Sequence, residues 1–362
     1  MTLPNPRCFL LLGLMACGAP VQDSPPAPLP DRSPPPIPVL SLVGDVAPPL
    51  DGYPIPFALG PGPSFLMRAR GAPEHALILD TPGDTTIYLS RTGDGPGELR
   101  DAALLVVEGD TLFAYDMGNQ RIARWTETGQ TLGETRIQEL ALMSMPGRAG
   151  EWLGMRLGRN GPLPVSISMA DGGVTPLIST ADTFWMAHAM APSREEAPLL
   201  SVGVWDGGFL MADGRKYLIG GYDWEGNLRF VIAPDLEPNL PDEARLDAVM
   251  AKWRRSGRPG GLSESAQRDR FRTTPEQWFS HLAPPRLDSK GRLWIVGQQS
   301  GRVFADVWWR DSLLGRTWLD CRGADSRWQL AEDRIALICL PDPDDGVHDV
   351  IYRLWRIEEG KP

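Results

Sequence analysis

From about residue 50 to its end the chain is a succession of short β-rich runs, each closed by a tight turn, and that alternation restricts it to folds made of many hairpins. HALILDT, TTIYLSR, TLFAYD, RIARWTE, PVSISMA, GFLMADG, RLWIVGQ and RIALICL are dense in β-branched and aromatic residues. Between such runs stand Glu108-Gly109-Asp110, Asp171-Gly172-Gly173, Asp206-Gly207-Gly208, Glu225-Gly226-Asn227 and Lys290-Gly291-Arg292. These residue types tolerate the bent backbone that a two-strand connection requires. Strands that follow turns begin at Thr111, Glu151, Gly208, Arg292 and Arg334, at gaps of 40, 57, 84 and 42 residues. Two of the gaps lie near the roughly 40–45 residues that four antiparallel strands and their turns occupy.

The longest gap holds an interruption. From about 235 to 282 β character vanishes, and PDEARLDAVMAKWRR and SESAQRDRFRTTPEQWFSHL place apolar residues at helical spacing, acidic residues first and basic residues last. That polarity suits the helix dipole. Without the insertion the gap returns to about one period. Five units are visible and residues 50–90 supply strands for a sixth, so the sequence predicts an all-β, six-bladed β-propeller over residues 50–362 with a helical insertion at about 235–282. How the ring closes is left open by the sequence; one scheme pairs a strand from residues 50–60 with the last strand near Val350 to Ile357.

Two motifs sharpen this. Asp110 to Gly129, DTLFAYDMGNQRIARWTETG, resembles an NHL-type propeller repeat: a strand ends at Asp116, a Gly-Asn turn carries Asn119, Arg121 and Ile122 open the next strand, and Gly129 closes it. Just upstream, Arg91-Thr-Gly93-Asp-Gly95-Pro96-Gly97-Glu98-Leu99 resembles the R-x-G-x-G-P-G-E-F turn of bacterial six-bladed β-propeller proteins, with Leu99 replacing the aromatic. Pro285 to Ile295, which includes Asp288, Gly291, Arg292 and Trp294, is similar to the strand that follows a helical insertion in that group. The resemblance implies a propeller, in many members exported or lipid-anchored; the other repeats have drifted from NHL spelling. The residues themselves read as architecture. Gly93, Gly95 and Gly97 permit close backbone approach, Pro96 fixes a corner, Asp116 and Asn119 can bind turn amides, and Arg121 can pair with Asp116.

The N-terminus points to export. Arg7, the apolar run Phe9 to Gly13 and Leu14-Met15-Ala16-Cys17 resemble a signal peptide and lipobox of bacterial lipoproteins, in which cleavage precedes the cysteine and its thiol carries a diacylglycerol. Residues 1–16 are thus expected to be removed and residues 17–49 to form a lipidated stalk, since Pro20 to Pro38 holds nine prolines. Such a segment favours extended polyproline II over a packed core. Gly18, where an aspartate commonly marks inner-membrane retention, leans the expectation toward the outer membrane or the periplasmic face.

Composition narrows function. The net charge is −10, and loss of Arg7 with the leader leaves 35 basic against 46 acidic side chains, which disfavours nucleic acid as a partner because phosphate binding needs a basic face. With Cys8 in the leader and Cys17 as anchor, Cys321 and Cys339 remain and could pair in an oxidising compartment. The chain has no GxSxG, HExxH or Walker loop. Enzymatic propellers of related build hold a divalent metal at the channel, so His188, His281 and His348 are the candidate ligands of a metal site, though they share no local motif. DPDDGVHD at 342–349 is acidic but lacks EF-hand spacing, and reads as a hairpin tip. The thirteen tryptophans fit interblade packing first, with stacking on sugars or peptides a second use. Trp253, Phe271 and Trp278 ride on the insertion and could cap one face. The expected function is a non-catalytic binding module for an envelope protein, peptide or glycan, held to the membrane by its lipid and needing no cofactor. The alternative is a metal-dependent lyase or lactonase at the channel mouth.

Overall fold

The computed structural model describes residues 34–46, 57–60, 64–68, 77–80, 86–139, 141–158, 161–178, 200–257, 263–280, 283–321, 328–331, 333–339 and 351–360. Among the described residues there are six four-stranded antiparallel sheets, and consecutive strands of the chain are neighbours in each except where the first strand joins the last. Blade 1 comprises β2 (Phe57–Leu59), β3 (Phe65–Arg68), β4 (Leu77–Asp80) and β5 (Thr86–Ser90). Blade 2 holds β6 (Ala102–Glu108), β7 (Thr111–Asp116), β8 (Arg121–Thr126) and β9 (Thr131–Arg136). In blade 3 are β10 (Leu142–Pro146), β11 (Glu151–Gly158), β12 (Gly161–Ser168) and β13 (Val174–Pro176). Blade 4 contains β14 (Leu200–Trp205), β15 (Gly208–Asp213), β16 (Leu218–Asp223) and β17 (Leu228–Ile232). Blade 5 is built of β18 (Arg286–Leu287), β19 (Leu293–Gln299), β20 (Arg302–Trp309) and β21 (Ser312–Leu319). Blade 6 takes β22 (Trp328–Ala331), β23 (Arg334–Cys339) and β24 (Ile351–Glu359), and its outermost strand is β1 (Pro38–Val46). The first strands approach one another around the ring, β2 meeting β22 and β6, β6 meeting β10, β10 meeting β14, and β14 meeting β18. This is a six-bladed β-propeller.

Alternation of side chains across each strand creates six cores, one between each pair of blades. Leu112, Ala114 and Trp125 face blade 1, while Phe113, Tyr115 and Ile122 face Trp152 and Ile167 of blade 3. Leu153, Val202 and Phe209 fill the next border; Leu210, Ile219, Ile295 and Phe304 fill that between blades 4 and 5. Trp294, Trp328, Leu337 and Trp355 join blade 5 to blade 6, and Ile338 and Tyr352 meet Phe57 and Phe65 to complete the circle. Strands buried on both faces read as nearly continuous apolar runs, as GFLMAD and RIALIC do. Among the described residues eight tryptophans, 125, 152, 253, 278, 294, 308, 328 and 355, are core residues.

Ring closure, left open by the sequence, is made by a strand upstream of residue 50. The strand that pairs with β24 is β1, from Pro38↔Glu359 to Val46↔Tyr352, and not a strand from residues 50–60. Pro38–Val46, inside the 17–49 segment expected to be stalk, is therefore a strand of the propeller. An outer edge strand tolerates proline at its first position because no inward ladder bond is lost. Arg353 holds the strand further, its guanidinium donating to both Asp45 oxygens at 2.6 and 2.8 Å.

The insertion forms two helices, α1 (Glu243–Arg255) and α2 (Glu264–Thr273). Asp242 and Ser263 cap them by accepting from the amides of Arg245 and Ala266. Leu246, Met250 and Trp253 pack with Phe271 in a small core of their own, and Arg268 bridges Glu243 and Asp247 at 2.7 and 2.6 Å. In an antiparallel four-stranded blade, the first and third turns lie at one end and the second turn and the interblade connection at the other. The insertion, an interblade connection, therefore sits at the second-turn face. Asn239 ties it there, donating to Gln277 and Gln298 carbonyls and accepting from the Ser300 amide.

Candidate functional site

The two motif segments of blades 1 and 2 form one polar knot at the second-turn face. Asp116, fully buried, accepts from the amides of Arg100 and Asp101 at 3.1 and 2.8 Å and from Asn119 Nδ2 at 2.7 Å. Arg121 Nε lies 3.5 Å from Asp116 Oδ2, while its Nη atoms donate to Glu134 at 2.9 Å, to the Gly95 carbonyl at 2.9 Å and to the Glu98 carbonyl. Asn119 also donates to the Gly93 carbonyl at 3.2 Å. Glu98 folds back to accept from the Gly95 amide at 2.8 Å, and a Cβ added at Gly93 would stand 2.1 Å from its Oε2. Any larger residue there would displace the Glu98 carboxylate from this position. Gly97 takes φ +74 beside Pro96, and Leu99 is buried against blade 2. These residues tie blade 1 to blade 2.

The third motif is a latch at the opposite, first-turn face. Arg292, with its side chain only 2 % exposed, donates through Nε to Asp288 Oδ2 at 2.6 Å. Its Nη atoms reach the Pro36 carbonyl at 3.1 Å and the Glu359 carboxylate at 3.2 Å, crossing from blade 5 to both closing strands of blade 6. Asp288 is also held by Trp294 Nε1 at 2.9 Å and by the amides of Lys290 and Arg292, and Gly291 turns at φ +77. Lys290 and Arg292 together hold the Glu359 carboxyl below its ordinary range, the Lys290 hydrogen bond acting most strongly. Cys321 and Cys339 form a disulfide with Cα atoms 5.4 Å apart, joining the exit of blade 5 to β23.

Beside this latch, on the same face, is a cleft of about 400 Å³ between blades 4 and 5. It is built from turns far apart in sequence: Trp205 and Asp206 from β14–β15, Leu287 to Gly291 from β18–β19, Trp309 and Arg310 from β20–β21, with Phe230 from β17 and Leu293 from β19. Trp205 donates through Nε1 to the Tyr222 carbonyl at 2.7 Å and meets Phe230 edge-on at 5.2 Å. Trp309 lies over Gly291, whose added Cβ would come within 3.4 Å of the indole, and Arg310 stands 5.8 Å from that ring. Aromatic walls and a rim of Asp206, Lys290 and Arg310 suit a ligand with flat apolar faces and polar edges. No hydroxyl or thiol in the lining is hydrogen-bonded to a base, and Asp288 is committed to the latch. Sequence reasoning missed this cleft.

It also missed a buried cluster across the same interblade border. Tyr217 donates to Asp306, Trp308 Nε1 donates to the Tyr217 oxygen at 3.1 Å, and Arg316 clamps Asp306 at 2.6 and 2.7 Å. Burial, reinforced by the Asp306 charge, raises the Tyr217 pKa well above its ordinary value. Cys17, His188, His281, His348 and the 342–349 segment lie outside the described residues. Among the described residues no group of three or more His, Cys, Asp or Glu is placed to hold a metal ion, and no helix is long and apolar enough to cross a membrane.

No protein-family model matches the chain, and no curated protein matches it in sequence. Solved structures do share its architecture. A Bacteroides fragilis protein inferred to be exported is similar at a TM-score of 0.52 and 10 % identity, over 90 % of this chain and 96 % of that one. Virginiamycin B lyase of Staphylococcus aureus matches at 0.47 and 10 % identity over 87 % and 99 %, and a Bacteroides vulgatus member of the DUF4221 family at 0.47 and 8 % over 89 % and 99 %. At such identities the likeness concerns the fold alone.

Proposed function

We propose that this protein is an exported, lipid-anchored propeller that works as a binding module in the bacterial envelope, taking a peptide, a glycan or a protein loop in the cleft between blades 4 and 5. The cleft carries this reading: five apolar or aromatic side chains and four charged ones converge there from three turns and two strands, whereas the sequence motifs are consumed in holding blades together. Loops at one end of a rigid ring are a common place for recognition. Cys17 carries the anchor, and the proline-rich segment ahead of Pro38 holds the ring away from the bilayer; the NHL-like spelling reflects an origin among such repeats. The test is a titration of the purified protein with panels of peptides and oligosaccharides, following tryptophan fluorescence. Binding that Trp309→Ala weakens at least about tenfold, the loss of an aromatic anchor of roughly 1.4 kcal/mol or more, supports the assignment; binding indifferent to Trp309 and Lys290 places recognition elsewhere.

A further inference from the structure

Three inward-reaching arginines of this ring are matched with carboxylates: Arg121 with Asp116 and Glu134, Arg292 with Asp288 and Glu359, Arg316 with Asp306. Arg124, whose Nε is buried without an acceptor, and Arg286 depart from that pattern, and of the two Arg286 stands on an axial strand. It lies on β18, the axial strand of blade 5, its Nε is sealed from solvent without an acceptor, and the side chain makes no hydrogen bond or ion pair among the described residues. The rest of the residue is partly exposed. Arg286 pairs in register with Trp294, so it shares the face that Trp294 turns to Trp328, Ile335 and Leu337 of blade 6. Leu287, next in sequence, points the other way into the blade 4–5 cleft. In the same blade 5–6 layer a second donor, Trp328 Nε1 on the axial strand of blade 6, is buried and has no acceptor.

Burial lowers the Arg286 pKa to about 10, so the guanidinium stays charged at neutral pH. A guanidinium nitrogen kept out of water without an acceptor is costly, and a guanidinium presents a planar fork of donors that fits an oxyanion bidentately. We propose that Arg286 anchors an oxyanion site near the axis of the ring at the border of blades 5 and 6, taking a carboxylate or phosphate group of a small ligand. The site is separate from the blade 4–5 cleft, and its failure would leave that assignment standing.

The test is the melting temperature of the purified full chain at fixed pH and ionic strength, with chloride replaced stepwise by acetate, glucuronate or phosphate. The expected result is a saturable rise with at least one oxyanion, whose half-point shifts tenfold or more in Arg286→Met and less in Arg286→Lys; whichever arm saturates at lower concentration identifies carboxylate or phosphate as the ligand group. An equal rise in wild type and Arg286→Met is a general salt effect and overturns the proposal, as does the absence of any saturable response up to tens of millimolar. Should Arg286→Met fail to fold, arginine Nε–Hε spectra of the wild type decide: a single shielded signal, missing in Arg286→Lys, must move on titration, and a stationary signal overturns the site.

Discussion

Replacing Arg292 by alanine removes the latch between blade 5 and the strands that close the ring. Its Nε–Asp288 contact of 2.6 Å has both side chains at 2 % exposure or less, a setting in which deleting one partner typically costs about 3–5 kcal/mol because the other charge is left buried. Asp288 keeps Trp294 Nε1 and the amides of Lys290 and residue 292 as donors, which puts the expected loss near the lower figure, about 3 kcal/mol. The bonds to the Pro36 carbonyl and to Glu359 go as well, so the damage concentrates at closure. Urea unfolding followed by tryptophan fluorescence reads the midpoint and slope. Asp288→Asn and the double variant complete a cycle, in which the double variant should lose at least about 1 kcal/mol less than the two single losses together. An Arg292→Ala loss below about 1 kcal/mol, the level of an exposed pair, or simple additivity in the cycle, would refute the latch.

Four further outcomes follow from the same contacts. Asp116→Ala should lower stability by about 2–4 kcal/mol by stranding the amides of Arg100 and Asp101 and the Arg121 charge; equal midpoints in denaturant would contradict the interblade role. A chain shortened to begin at residue 34 should melt cooperatively like the whole, whereas one beginning at residue 47, which lacks β1, should lose its cooperative transition. Replacing Cys321 and Cys339 together by alanine should cost roughly 2–4 kcal/mol, and thiol titration of the denatured, unreduced protein should find neither residue free. Burial raises the Asp213 pKa above its ordinary 3.8, so the unfolded chain ionises first as pH rises. Stability from this group is therefore whole below the ordinary value and falls until the folded carboxyl ionises; the advantage of Asp213→Asn should grow with pH across that window and then level off, and a pH-independent difference between the two midpoints would contradict it.

The fold was legible because each blade repeats a local pattern. Turn residues such as Asp206-Gly207-Gly208 and Lys290-Gly291 mark hairpins wherever they occur, and caps at Asp242 and Ser263 mark the helices. The knot around Asp116 and the Asp288 latch were visible as separate motifs, since glycines crowded by Glu98 or turned at positive φ leave a spelling. Their joint purpose was not, because Arg121 contacts Gly95 and Glu98 more than twenty residues away, and Arg292 reaches Pro36 across 256 residues. The closing strand hid behind prolines that signal a stalk and in fact run up to Pro38 itself. The cleft left no local pattern at all, being assembled from Trp205, Phe230, Leu287 and Trp309, each ordinary in its own strand. Tyr217 and Asp306, 89 residues apart, were hidden for the same reason.

The most direct test of the binding account is photo-crosslinking from the cleft itself, with a benzophenone side chain at Leu287 and, as control, at Glu127, exposed at the β8–β9 turn of blade 2, in cells that carry the native envelope. The account predicts a discrete adduct from position 287 alone, competed by the peptide or glycan that titrates tryptophan fluorescence and lost in Trp309→Ala. The same adduct from both positions, or one that neither the ligand nor Trp309→Ala affects, would contradict the cleft as the site of recognition.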